Sequence, residues 1–291
     1  MANTRKPRVA CELTPERVIA ARAAGGAVDV VFARTLPAGS LAPGLGAANV
    51  ANGGAVRDAI SDALAAVGGH SREVIAVLPD AAVRIVLLDF EELPERRLDA
   101  DSVVRFRLKK SLPFDADQAA LSYDVRRANG AIKVVAAVAP PAVLEEYETL
   151  FRDAGYSPGV VLPSMLAALG PVQAPQPTLV LKVDVDTTSV AIVQHDDLLL
   201  YRTLENAHGT QLAAAALADD IYPSLVFFQD NYGMKVEHIL LGGLASADEI
   251  GPPLEAQTGA RVSDLVSASQ IGQPGNLAPS LLAGVVGALV G

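Results

Sequence analysis

The sequence is poor in the residues that most often carry chemistry or base stacking. It has no tryptophan, one cysteine and four histidines in 291 residues, and aromatic side chains make up 4% of it. Few aromatic residues argue against a stacking platform for single-stranded nucleic acid. The one cysteine, Cys11, excludes an internal disulfide framework and fits a reducing compartment; with no histidine near it in sequence, we expect it to be buried and structural. The histidines lack the spacing of metal ligands and are expected to be ordinary exposed residues: His70, His195, His208 and His238.

Basic residues are also scarce. Lysine and arginine number 23 against 33 aspartate and glutamate, for a net charge of −10, which argues against whole-surface binding to nucleic acid or anionic lipid. The deficit lies mainly in residues 178–291, which hold 4 basic and 13 acidic side chains. The strongest basic feature is the run Arg105, Arg107, Lys109 and Lys110. It is either a solvated helix face or a surface that faces a partner or a membrane.

Several familiar sequence signatures are missing. There is no Gly-x-Ser-x-Gly elbow, Walker loop or dinucleotide fingerprint, and no catalytic or metal-binding residue is assigned. The amino terminus has no apolar segment typical of a secretory signal. The last uncharged run, LAPSLLAGVVGALVG, is about 15 residues long and shorter than the ~20 that a membrane-spanning helix needs. We therefore expect a buried terminal helix.

Half of the residues are hydrophobic, which is enough to bury the cores of about two domains. A Pro-rich stretch at residues 171–177 predicts the boundary between a first lobe, 1–170, and a second lobe, 178–291. Within the first lobe, residues 73–162 alternate short strands and helices, with an Asn129-Gly130 turn between two of the strands. These elements are too few for a doubly wound sheet, so the pattern predicts a small inserted α+β subdomain.

A family resemblance rests on four stretches in this order. VLPDAAVRIVLLDFEELPE is followed by a helix that ends in Leu112-Pro113-Phe114 and by a strand that contains Tyr123-Asp124; LADDIYPSLVFFQDNYG and HILLGGLAS come later. In order and spacing they resemble the type IV pilus assembly protein PilM. The resemblance implies the α/β, actin-like ATPase fold with two lobes, and an insert of the SHS2-like kind (subdomain 1C) that PilM shares with FtsA.

PilM-like proteins are cytoplasmic scaffolds, so the resemblance implies an interaction role rather than an enzymatic one. The implied partners are the cytoplasmic tail of a PilN-like bitopic protein, through which the chain would lie against the inner membrane, and other platform or motor proteins. We expect the tail to bind in a groove beside the insert, near the basic run and Leu112, Pro113 and Phe114. Two alternatives remain: a GspL-like component of type II secretion, and an actin-fold ATPase or sugar-kinase-like phosphotransferase.

The resemblance also implies a cleft for ATP and Mg²⁺ between the lobes. The matching positions are Glu12 and Thr14 in a first turn, Asp184 and Thr187 in a second turn, and Gly242 and Gly243 on the adenosine side.

Both phosphate turns depart from the family pattern. Pro15 removes a backbone donor, Glu16 adds negative charge, Ile19 replaces an expected lysine, and Asp186 replaces a glycine. Each change disfavours an anionic ligand, so we expect weak ATP binding or none.

Overall fold

The computed structural model describes residues 7–46, 48–69, 71–128, 131–211, 213–272 and 277–291. Its strands are Val9–Leu13 (β1), Arg17–Ala24 (β2), Ala27–Thr35 (β3), Glu73–Leu78 (β4), Arg84–Phe90 (β5), Ala120–Ala128 (β6), Ala131–Ala139 (β7), Ser157–Pro163 (β8), Ala174–Val183 (β9), Thr187–His195 (β10), Asp197–Glu205 (β11), His238–Gly243 (β12) and Arg261–Asp264 (β13). Its α-helices are Gly53–Val67 (α1), Arg97–Leu108 (α2), Pro141–Asp153 (α3), Ser164–Leu169 (α4), Ala214–Tyr232 (α5), Ala247–Thr258 (α6) and Ala283–Val290 (α7).

Two five-stranded sheets share one topology. Their strand orders are β3-β2-β1-β4-β8 and β11-β10-β9-β12-β13. In each sheet the three strands that come first in sequence, β1–β3 or β9–β11, form an antiparallel meander. Two later strands then extend the sheet in parallel, β4 and β8 in the first sheet and β12 and β13 in the second. The repeated order shows that the two halves are variants of one α/β unit.

Helices cover the outer face of each sheet. α1 begins where the Asn52 side chain accepts a hydrogen bond from the Ala55 N–H, and its apolar stripe includes Val56, Ile60 and Leu64. That stripe and the buried face of α3 form one core with the first sheet. In the second half, α5 and α6 pack on the second sheet in the same way.

A separate antiparallel sheet, in the order β5-β7-β6, has its own small core with α2. This insert spans residues 84–139, so the predicted range of 73–162 is too wide. β4 and β8 belong to the first sheet, and α3 belongs to its core. Long-range pairing decides which sheet a short apolar strand joins, and local sequence does not carry that information. Residues of the predicted Asn129-Gly130 turn lie outside the described residues.

α4 and α7 lie between the two main sheets and form a third core with their inner faces. α7 is buried, as the uncharged terminal run predicts, and it packs against α4 and the strands β1 and β2. The end of the chain therefore lies against the first sheet, although the predicted second lobe extends to residue 291. Among the described residues, no helix combines the length and apolarity needed to cross a bilayer.

Candidate functional site

The cleft between the lobes centres on a buried lysine. Lys182, near the end of β9, is 2% exposed, and its ammonium group lies 2.7 Å from both carboxylate oxygens of Asp184. The same Nζ lies 3.4 Å from Oε1 of Glu12, on β1 of the first sheet. Burial alone would lower the pKa of Lys182, but the carboxylates of Asp184, Glu12 and Asp80 together raise it above its usual value. Lys182 is therefore charged at neutral pH.

Glu12 is enclosed on every side. It is 1% exposed, and its Oε1 accepts a hydrogen bond from the Ser164 hydroxyl at the start of α4. Its Oε2 has no hydrogen-bond partner among the described residues. α7 reaches this carboxylate through Gly284, where a Cβ atom would lie 2.5 Å from Oε2. Burial raises the pKa of Glu12, and Lys182 and Ser164 offset this only in part.

Asp80, two residues after the end of β4, joins three elements. Its Oδ1 accepts a hydrogen bond of 2.8 Å from the Met165 N–H, and its Oδ2 accepts one of 2.8 Å from the Ser189 hydroxyl on β10. The Tyr201 hydroxyl on β11 lies 3.5 Å from Oδ1. Burial raises the pKa of Asp80 more than Lys182 lowers it. This carboxyl group ties the first lobe to the second sheet and to the start of α4.

The residues predicted for a nucleotide do come together. Glu12, Thr14, Asp184 and Thr187 line one small cavity with Lys182, and Gly243 lines an adjacent one. Each cavity has a volume of about 10 Å³, close to the smallest space that holds one water molecule.

The glycines predicted for the adenosine side are both closely packed, although Gly243 also borders the second small cavity. At Gly243, where φ is +76°, a Cβ atom would lie 2.1 Å from the Val183 carbonyl oxygen. Gly242 lies against Ala283 and Leu265.

Sequence reasoning missed Lys182, Asp80, Ser164 and Ser189. Lys182 carries a usable signal, since it interrupts the apolar sequence Leu179-Val180-Leu181 and Val183, and a buried lysine needs a carboxylate partner. Asp80 and the two serines carry no such signal, because their partners are distant in sequence.

A second candidate site is an apolar groove between the insert and the first sheet. Its volume is about 260 Å³. The lining side chains come from β4, β6, β7, α3 and β8 and from the segment after β4: Leu78, Val83, Ala120, Leu121, Ser122, Ala137, Ala139, Leu144, Val161 and Pro163. β6 and β8 are edge strands of their sheets among the described strands, and both contribute to the groove. Each has backbone groups on one edge that could pair with an added chain.

The other edge of the insert is already covered. β5 packs against β11 of the second sheet. The other two strands of the insert also reach the second lobe: the Arg126 guanidinium of β6 lies 3.8 Å from the Asp197 carboxylate, and the Lys133 ammonium of β7 lies 5.9 Å from the centre of the Tyr232 ring. The insert therefore contacts both lobes, and the outer backbone edge of β6 has no partner strand among the described residues.

The predicted partner residues lie elsewhere. α2 packs on the face of β7 that carries Val134, Ala136 and Val138, whereas Ala137 and Ala139 point to the groove from the opposite face. The groove-lining residues accordingly include none of the seven predicted ones, which surround α2: Arg105, Arg107, Lys109, Lys110, Leu112, Pro113 and Phe114.

Most of the seven have structural contacts of their own. Arg105 donates hydrogen bonds to the carbonyl oxygens of Ala116 (2.6 Å) and Ala119 (3.0 Å), and so fixes the loop after α2. Lys109 pairs with Asp117 at 2.6 Å, and Arg107 lies over the Phe90 ring. Leu112 and Phe114 pack, half-buried, against the core of the insert, whereas Lys110 and Pro113 are exposed. His70 lies outside the described residues, and Cys11 is buried as predicted.

Comparisons with known proteins place the fold. No family model matches the chain, and no curated protein does. A chain of the PilM–PilN type IV pilus biogenesis complex superposes with a TM-score of 0.81 at 18% identity, covering 97% of this chain and 98% of its own. The cytoplasmic domain of EpsL, an inner membrane component of the type II secretion system of Vibrio cholerae, gives a TM-score of 0.57 at 12% identity, covering 97% and 94%.

A third structure, a Bacteroides thetaiotaomicron protein with an actin-like ATPase fold and unknown function, gives a TM-score of 0.53 at 9% identity and covers 99% and 98%. The resemblance to PilM that the sequence predicts is thus confirmed at the level of the fold. The chain has an actin-like fold, and over nearly its whole length it is similar to a chain of the PilM–PilN complex.

Proposed function

We propose that this chain is a scaffold of a type IV pilus assembly complex, held at the inner membrane by the cytoplasmic tail of a PilN-like bitopic protein. The observation that carries the proposal is the apolar groove between the edges of β6 and β8 that have no partner strand among the described residues. An extended peptide can add to a strand edge through its backbone, while alternate side chains enter the apolar space below. β8 is seven residues long, so the bound segment would be of about that length. The likeness to a chain of the PilM–PilN complex supports this partner.

Binding of a tail peptide can be tested with two matched variants. Ser122 is exposed in the groove, so Ser122→Trp fills the groove without disturbing a core. Ser102 is exposed on α2, on the opposite side of the insert, and Ser102→Trp is the control. Fluorescence anisotropy with a labelled peptide from the cytoplasmic tail of the PilN-like protein measures binding. We expect Ser122→Trp to weaken binding at least about 10-fold and Ser102→Trp to change it less than about twofold.

Two results would contradict this site. If the wild-type protein binds no tail peptide at low salt, the scaffold proposal is wrong. Loss of binding in Arg107→Glu/Lys110→Glu, with Ser122→Trp unaffected, places the contact on α2 instead. The likeness to EpsL makes type II secretion the alternative. Measuring the binding of tail peptides from the pilus system and from the type II secretion system side by side distinguishes the two.

We further propose that nucleotide binding is weak and that the chain is not a phosphotransferase. The cavities of about 10 Å³ and the Lys182 ammonium between the carboxylates support this, because a triphosphate needs an open cradle of donors. In a thermal-shift titration, about 1 mM ATP–Mg²⁺ should move Tm by less than about 1 °C. A dissociation constant near 10 μM would add about 2.7 kcal/mol to the free energy of unfolding and raise Tm by several degrees, which would contradict the proposal.

A further inference from the structure

The charges in the cleft belong to different parts of the molecule. Glu12 lies on β1 and Asp80 follows β4, so both belong to the first sheet, whereas Lys182 and Asp184 come from the end of β9 in the second. Asp184 holds the ammonium from its own lobe through both oxygens, and Glu12 approaches it from the other lobe. Lys182 is therefore a bridge between the lobes, and it is the cation that faces all three carboxylates.

The surroundings close the bridge to solvent except at Asp184, whose side chain is 17% exposed. Ser164 donates to Glu12, Gly284 of α7 packs directly on the same carboxylate, and the adjoining cavities hold little more than a water molecule each. In this low-dielectric space three carboxylates without a cation would repel one another strongly.

We propose that Lys182 is a built-in cation that holds the two lobes closed, so that closure needs no bound metal or nucleotide. The inference rests on the proposed weakness of nucleotide binding and gives it a cause. A side-chain ammonium occupies the position between the strand ends where the carboxylates of both lobes meet, and it is present at all times. The scaffold then keeps one arrangement of its lobes whatever the supply of nucleotide.

Lys182→Met tests this inference because it keeps an unbranched side chain and removes only the charge. We expect Tm to fall by roughly 5–10 °C, since breaking a buried ion pair leaves its partners uncompensated. The freed carboxylates are hard oxygen ligands, so about 10 mM Mg²⁺ or Mn²⁺ should restore part of the lost Tm in the variant and leave wild type unchanged. Lys235→Met, which removes an exposed lysine of the same lobe, is the control and should behave as wild type.

Lobe separation provides a second readout. Dye pairs on Asp58→Cys in α1 and Gln257→Cys in α6, both exposed, report the distance between the lobes by energy transfer, and buried Cys11 stays unlabelled. Without added metal, we expect a longer and broader distance distribution in Lys182→Met. If Lys182→Met does not fold, the double variant Lys182→Met/Glu12→Gln replaces it. We expect the double variant to fold, because β1 then has no buried carboxylate that lacks its cation, and to show the same longer distances.

An unchanged distance distribution, or a Tm of Lys182→Met that does not respond to divalent cations, overturns the inference. Peptide binding in the groove can be intact in either case, so failure here is distinguishable from failure of the scaffold proposal. Conversely, tight ATP binding by the wild-type protein would contradict the proposed weak nucleotide binding, whereas the role of Lys182 in closure would still be decided by the Tm and distance measurements.

Discussion

Glu12 illustrates how the surroundings of one side chain determine what it can do. A carboxylate at the end of a strand is suited to holding a metal-bound nucleotide when the cleft is open. Here the lysine of the opposite lobe, the Ser164 hydroxyl and the bare face of Gly284 enclose it. The same residue type at the same place is then part of an interior ion pair, and its titration is linked to stability.

The direction of that linkage is fixed by the raised pKa of Glu12. Folded protein holds the Glu12 proton more tightly than unfolded protein does, so the contribution to stability is complete below the ordinary value of 4.5 and is lost as pH rises through the folded pKa. Asp80 acts in the same direction, and the raised pKa of Lys182 keeps that group charged throughout this range. Glu12→Gln should therefore show a smaller decline in the free energy of unfolding between about pH 5 and pH 8.

Urea unfolding at a series of pH values measures this decline. Glu92→Gln, a change at an exposed position outside the cleft, serves as control and should keep the wild-type profile. If Glu12→Gln declines as steeply as wild type, Glu12 is not the group that titrates in this range.

At the scale of elements, helix α3 organises a loop that looks irregular in sequence. Residues 37–54 are rich in Pro, Gly and Ala and predict a mobile loop, although α1 already begins at Gly53. In the structure, the Glu146 carboxylate on α3 accepts hydrogen bonds from the backbone N–H groups of Ala48, Asn49 and Val50. The hydroxyl of Tyr147, the next residue of α3, donates to the Asn49 side chain. The loop is thus fixed from a helix about 100 positions away in sequence.

Glu146→Ala removes the acceptor of three backbone donors at once. We expect faster amide hydrogen exchange in residues 48–50 and a loss of about 1–2 kcal/mol in the free energy of unfolding, because hydrogen bonds to a charged group are stronger than average. Glu145→Ala is the matched control on the same helix, since Glu145 is exposed and pairs with Arg152. Equal exchange rates in the two variants would show that the loop keeps its structure without Glu146.

For the whole molecule, the sequence predicts the architecture better than the sites. The stretches around Leu112-Pro113-Phe114 and Gly242-Gly243 predict an actin-like fold, which the structural comparisons confirm. The limits of the insert are predicted poorly, since β4 and β8 look like its own strands until it is known that β4 pairs with β1 and β8 with β4. A groove beside the insert is predicted, but the residues that line it are not, and neither is the role of Lys182, because only tertiary contacts bring the residues of each site together. The division into lobes at residues 171–177 stays a prediction, and β9 already begins at Ala174.

Close packing of α4 against α7 is what lets the two sheets share one interior, and it depends on Gly287. A Cβ atom there would lie 2.1 Å from the Ala167 carbonyl oxygen and 2.6 Å from the Ala168 Cα, so Gly287→Ala must push backbone away from backbone. We expect a loss of about 3 kcal/mol or more in the free energy of unfolding by urea. Gly54→Ala in α1 is the control, because a Cβ atom there would lie 3.8 Å from Asn52 Oδ1, an ordinary contact distance. Replacing this helical glycine should add up to about 0.5 kcal/mol to the free energy of unfolding. Equal stabilities of the two variants would mean that α4 and α7 tolerate greater separation, and that the shared interior does not depend on their contact.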